Sequence, residues 1–115
     1  MTETTKAPYA PIIDQAIEGV ISLSRVEHVA TVSIWLENKV TYGTKIELFF
    51  KASNGTKWSR SLDVDISPTV FGFILSPSLF KESYEPNATV QVRYTLMEPN
   101  KPLVHSETRS YSLVE

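Results

Sequence analysis

The side chains of this chain that could do chemistry are few, and their spacing sets limits on what they could do. His28 and His105 stand 77 residues apart with no cysteine and no His-x3-His partner, so they do not spell a zinc site and read as surface histidines. Asp63 and Asp65 fall on one parity of a strand and could offer oxygens to calcium. Such a cage needs six or more ligands, and two solvated charges that keep a strand from pairing with another chain explain them as well. Serine, histidine and aspartate are all present, but no Gly-x-Ser-x-Gly elbow is. Four scattered glycines make no phosphate-cradling loop. Asn54-Gly55-Thr56 and Asn87-Ala88-Thr89 match the glycosylation sequon, yet Asn-Gly and Pro-Asn are also ordinary turn pairs. No enzyme, metal or cofactor is expected from this inventory.

The aromatics are more informative. Trp35 and Phe49 fall on the parity opposite to the apolar faces of their strands, while Tyr42, Tyr84 and Tyr9 fall in expected loops. An outward aromatic can be a contact for a protein or a glycan. It can equally be covered by the N-terminal segment or by the turn around Leu79-Phe80. Trp35, Phe49, Tyr42, Asn54 and Tyr84 are therefore the candidate binding residues.

The elements that must position them alternate with a period of two. In 89–97, Val90, Val92, Tyr94 and Leu96 alternate with Thr89, Gln91, Arg93 and Thr95 without a break, which predicts a central strand with one wet face. Ala30, Val32, Ile34 and Leu36 share the inward face of 29–36, and Ile46, Leu48 and Phe50 that of 44–51. Asn54-Gly55 predicts a type I′ hairpin joining 44–52 to 58–66. Further strands are expected at 20–23, at 70–75, where Gly72 suggests a bulge or a close backbone approach, and at 103–114, whose polar character suits an edge. Pro11-Ile12-Ile13 reads as an edge entry, 14–18 as a loop or short turn, and Ser76-Pro77-Ser78 as the start of one helical turn. Glu37-Asn38-Lys39, Ser67-Pro68 and the recurring Glu85-Pro86-Asn87 and Glu98-Pro99-Asn100 are turn chemistry at strand ends.

About seven antiparallel strands with turn signals every 8–13 residues predict an all-β, immunoglobulin-like sandwich. The expected organisation is a flexible leader over 1–8 and one sandwich domain over 9–115. A net charge of −2 on 115 residues offers no field for nucleic acid or an anionic membrane, and no run of ~18 apolar residues predicts a membrane span. Without cysteine, stability must come from packing rather than disulfides. Residues 1–10 hold no apolar signal core, so the protein is expected to be cytoplasmic or to leave by a signal-independent route.

Ala30-Thr31-Val32-Ser33-Ile34, Tyr42-Gly43, the strand from Thr44 to Phe50, Val90-Gln91-Val92-Arg93-Tyr94 and Ser106-Glu107-Thr108-Arg109-Ser110 resemble the cysteine-free immunoglobulin-like repeats of large bacterial surface and adhesin-like proteins, here in a single copy. The likeness covers residues 11–114 and puts Phe50 where such repeats carry an aromatic core residue. It implies a non-enzymatic interaction module that recognises a protein or a glycan through loops or outward aromatics, with homo-oligomers through edge strands as a further expectation. The alternative is a small effector or toxin-like protein exported without a signal.

Overall fold

The computed structural model describes residues 9–36, 42–64 and 70–115. The leader 1–8, the turn Glu37-Asn38-Lys39, and Asp65, Ile66 and Ser67-Pro68 lie outside the described residues. Two β-sheets pack face to face. Strands β1 (Ile12–Ile13), β3 (Ala30–Trp35) and β6 (Val70–Leu75) form the small one, in the order β1-β3-β6. The large one runs β2 (Val20–Ser22), β9 (Arg109–Val114), β7 (Thr89–Met97), β4 (Lys45–Ala52), β5 (Lys57–Asp63), with β8 (Val104–His105) also on β7. A seven-residue helix, α1 (Pro77–Ser83), links β6 to β7.

The two-residue period decides which side chains meet between the sheets. Ala30, Val32 and Ile34 from the small sheet face Ile46, Leu48, Phe50, Val90, Val92 and Tyr94 from the large one, all essentially without solvent contact. Phe80 turns inward from α1 and meets Phe50 edge-to-face, with centroids 5.6 Å apart and planes at 82°, the arrangement that the ring quadrupoles favour. Pro77 opens the helix, but Ser76 makes no capping bond to the backbone. Its hydroxyl pairs with that of Ser78 at 2.8 Å instead.

Among the described residues there are nine strands, not about seven, because the edge entry at Ile12–Ile13 is a strand in its own right and the run 103–114 divides into two. At the N-terminal end the chain leaves the small sheet after Ile13 and joins the large one at Val20. Asp14 holds this crossing by accepting from the hydroxyls of Thr31 at 2.6 Å and Ser33 at 2.9 Å. Glu18 and Gly19 then turn at φ 50° and 79°, with Ile17 and Val20 exchanging backbone hydrogen bonds of 2.9 and 3.0 Å. Two consecutive positive φ values in a two-residue turn define type I′. At the C-terminal end, β7 advances three residues from Thr95 to Val92 while its partner advances four, from His105 to Arg109. One extra residue is a bulge, and Ser106 fills the gap: its hydroxyl accepts from the Tyr94 N–H at 2.9 Å and donates to the Glu107 carbonyl at 2.8 Å.

Three other expectations are corrected. The β4–β5 hairpin exists, but Asn54 does not take a positive φ; only Gly55 does, at 95°. Bonds from Gly55 N–H to the Ala52 carbonyl (3.0 Å) and from Ala52 N–H to the Thr56 carbonyl (2.8 Å) make a three-residue loop with glycine in the left-handed position. The polar run 109–114 is not an edge, because β2 lies parallel beside β9 and covers it. Gly72 marks neither a bulge nor a close approach: β6 pairs with β3 over six unbroken positions, and nothing stands within 4 Å of where its Cβ would be.

The two Glu-Pro-Asn segments behave as read. Asn87 and Asn100 sit at φ 63° and 60°, and the N–H groups of Ala88 and Lys101 return to the carbonyls of Glu85 and Glu98. Proline followed by a positive-φ asparagine, closed by that bond, is a type II turn.

The sheets are tied along one side by polar bonds as well as by packing. The Tyr111 phenol in β9 accepts from the Ile13 N–H in β1 at 3.0 Å, and Arg109 Nε donates to the Pro11 carbonyl at 3.2 Å. Burial pushes the Tyr111 phenol above the usual tyrosine range, against smaller downward pulls from the Ile13 N–H and Arg109.

Two outcomes follow. Phe50→Ala should cost about 3–5 kcal/mol in chemical denaturation, since it removes the ring on which Phe80 rests. Tyr111 holds its proton more tightly folded than unfolded, so its contribution is complete below the unfolded value near 10 and is lost as pH rises above it. Melting temperature should fall above pH ~10, and Tyr111→Phe should flatten that alkaline drop. At neutral pH the same change should cost about 1–3 kcal/mol, because the Ile13 N–H loses its acceptor.

Candidate functional site

The candidate binding residues do not converge. Trp35 and Phe49 project from the outer faces of different sheets, and since the inner faces share one core, these outer faces point away from each other. Trp35 is 55 % exposed at the end of β3, opposite Val70. The helix that could have covered it lies at the other end of the sandwich, beyond Leu75, with Phe80 turned into the core. Tyr42 is 75 % exposed at the end where Gly43 stands beside Pro99. Asn54 and Tyr84 lie at the opposite end. The Asn54 amide donates to the Glu82 carbonyl at 2.7 Å while its oxygen accepts from Thr56 N–H at 3.0 Å, so this side chain is occupied in joining the β4–β5 turn to α1. Tyr84 is half-buried against the core. That partial burial, and then the neighbouring and hydrogen-bonded carboxylate of Glu115, hold its phenol above the usual range.

Of the five, Phe49 has the most built surroundings. Lys45, Glu47, Phe49 and Lys51 face outward from β4, and the register places Met97, Thr95, Arg93 and Gln91 directly opposite them on β7. The Arg93 guanidinium lies over the Phe49 ring, 4.2 Å from its centroid, a cation–π contact worth about 0.5–1 kcal/mol at an accessible site. Two open hollows flank this pair. One, of about 400 Å³, runs toward Trp58 and Ser59 on β5. The other, of about 280 Å³, runs toward Met97, Leu103 and His105. Phe49 and Arg93 line both.

Charge on this face opposes that of the whole chain. Lys45, Lys51, Lys57 and Arg93 outnumber Glu47 and Asp63, although the molecule carries a net −2. Among the described residues the one ion pair is Lys101 with Glu98, at 3.1 Å in the β7–β8 loop, so the lysines of the face are not neutralised by close carboxylates.

Arg93, Met97 and Leu103 carry no signal in the sequence that marks them as binding residues, and His105 reads there only as a surface histidine. Arg93 is one polar residue among four in the strand, and only the pairing of Phe49 with Arg93 distinguishes it. His28 and His105 are both exposed, and no group of three metal-ligating side chains occurs among the described residues. No helix among them is long and apolar enough to cross a membrane. Comparison with protein-family models, curated proteins and solved structures returned no match to this chain.

Arg93→Ala should leave the fold in place and cost no more than about 1 kcal/mol in a denaturant titration, against the several lost on truncating Phe50. A larger loss would mean that Arg93 supports the sheet rather than dressing its surface.

Proposed function

We propose that the chain is an immunoglobulin-like interaction module that docks a protein through the outer face of its large sheet. The strand order supports the immunoglobulin-like reading: β3 and β6 stand where strands B and E do, β4, β7 and β9 where C, F and G do, and β5 takes the C′ place beside C. The observation that carries the functional reading is the Phe49–Arg93 stack, flanked by two shallow hollows on a face of net positive charge. Aromatic and arginine side chains, with methionine beside them, are the residues that dominate protein interfaces.

A protein surface fits this face better than a glycan does. Sugars stack on an uncovered aromatic ring, and Arg93 already occupies one face of Phe49. The hollows are open and shallow, unlike the enclosed pockets that bury a small ligand. The complementary partner presents an apolar group to the hollows and carboxylates toward Lys45, Lys51 and Lys57, and this attraction weakens as salt rises.

A protein-display selection run beside a glycan array tests this reading. Selected protein binders should lose at least tenfold in affinity with Phe49→Ser or Arg93→Glu, lose affinity between 50 and 500 mM salt, and ignore Trp35→Ser. Thermal melting of the variants should change little. Glycan binding that survives both substitutions, or protein binding that depends on Trp35 or Tyr42 instead, would overturn it.

A further inference from the structure

A sheet edge exposes unpaired backbone N–H and C=O groups, and proteins blunt such edges with short strands, charges, prolines or bulges. Among the described residues, three of the four strands that end the two sheet orders are blunted. β1 and β2 are two and three residues long. β5 carries Lys57, Arg60 and Asp63 along its length. The fourth, β6, has none of these devices: Val70-Phe71-Gly72-Phe73-Ile74-Leu75 holds no charge and no proline, and its register with β3 is unbroken. Among the described residues, no strand pairs with its outer side.

We infer that β6 is a self-association edge, pairing antiparallel with β6 of a second copy about a two-fold axis at Gly72. The sequence around Gly72 is complementary to itself in that register. Gly72 meets Gly72 of the second copy, Phe71 meets Phe73, and Val70 meets Ile74, so inward residues pair with inward and outward with outward. A shift of one residue would bring an outward side chain against an inward phenylalanine, Ile74 against Phe71 in one direction and Val70 against Phe73 in the other.

Three observations choose a second copy as the occupant. Ile74 is the most exposed aliphatic side chain among the described residues, at 71 %, and this pairing sets it against Val70 of the other copy. Trp35 stands opposite Val70 on β3, so the joint extends its row into a continuous apolar line of Trp35, Val70 and the second copy's Ile74. Charge also permits it: neither β6 nor its neighbour β3 carries a charged residue, so two copies meet without repulsion, whereas the same operation on β5 would set Arg60 against itself.

A single strand joint is small against the ~1,200–2,000 Å² of a stable complex, so the dimer is a weak one that forms with rising concentration. It joins the two small sheets into one and leaves the Phe49 face of each copy free, which makes it independent of the docking function.

Sedimentation velocity from about 10 µM to 1 mM should show monomer giving way to dimer, and Ile74→Lys should abolish the dimer while leaving the circular dichroism unchanged. The chain has no cysteine, so Gly72→Cys supplies a register-specific readout. Directly opposed residues lie about 4.5–5.5 Å apart at Cα, within disulfide range, and a Cβ at Gly72 meets nothing within 4 Å. Mild oxidation should therefore give a covalent dimer, and Ser59→Cys on the large sheet should not. A chain monomeric throughout this range, a dimer indifferent to Ile74→Lys, or failure of the Gly72→Cys protein to cross-link would each overturn the inference.

Discussion

The pairing of β4 with β7 over eight consecutive positions is the constraint on which the rest of the molecule depends. With Phe50 opposite Val92, Leu48 opposite Tyr94 and Ile46 opposite Leu96, these six apolar residues all lie on the side that meets the small sheet. A slip of one residue between the two strands would turn three of the six to solvent, so burial and register enforce each other. The same ladder that builds the core sets Phe49 against Arg93 on the reverse face. The proposed docking surface is thus the outer side of the core's own most extensive pairing, and a side chain on a rigid strand is held more precisely than one on a loop.

The margins of the sandwich are closed by more local means. β9 would be an edge but for the parallel addition of β2, and that addition requires the chain to change sheets between Ile13 and Val20. Asp14, Gln15 and the Glu18-Gly19 turn accomplish the change within six residues, and Tyr111 and Arg109 bind the far side of the crossing. A non-glycine residue held at positive φ, as Glu18 is, costs on the order of 1 kcal/mol, which the ordering of β2 against β9 offsets. β6 receives no such cover among the described residues, which is why its neutral sequence carries consequences that a similar sequence in an interior strand would not.

Much of the architecture was legible because apolar alternation is a local property. The inward faces of 29–36, 44–51 and 89–97 could be read residue by residue, and each proved buried. The Glu-Pro-Asn turns were legible for a similar reason: proline and asparagine carry their conformational preferences with them. The Asn54-Gly55 turn shows where that logic ends. Its dipeptide favours type I′, but the hydrogen bond from Asn54 to the Glu82 carbonyl draws the loop toward α1, and the type I′ geometry appears instead at Glu18-Gly19, a pair with weaker intrinsic preference.

By itself, then, the sequence determined an all-β chain, the parity of its long strands, the core residues that parity buries, and the absence of disulfides. These follow from side-chain period and composition, which need no partner to be defined. The tertiary structure alone decided which strands are neighbours. It covered the polar strand β9 while leaving the apolar β6 at an edge, placed Trp35 and Phe49 on opposite sides of the molecule, and made Arg93 the companion of Phe49. Each of these depends on contacts between residues tens of positions apart, and alternation with a period of two states which way a side chain faces but not what stands beside it.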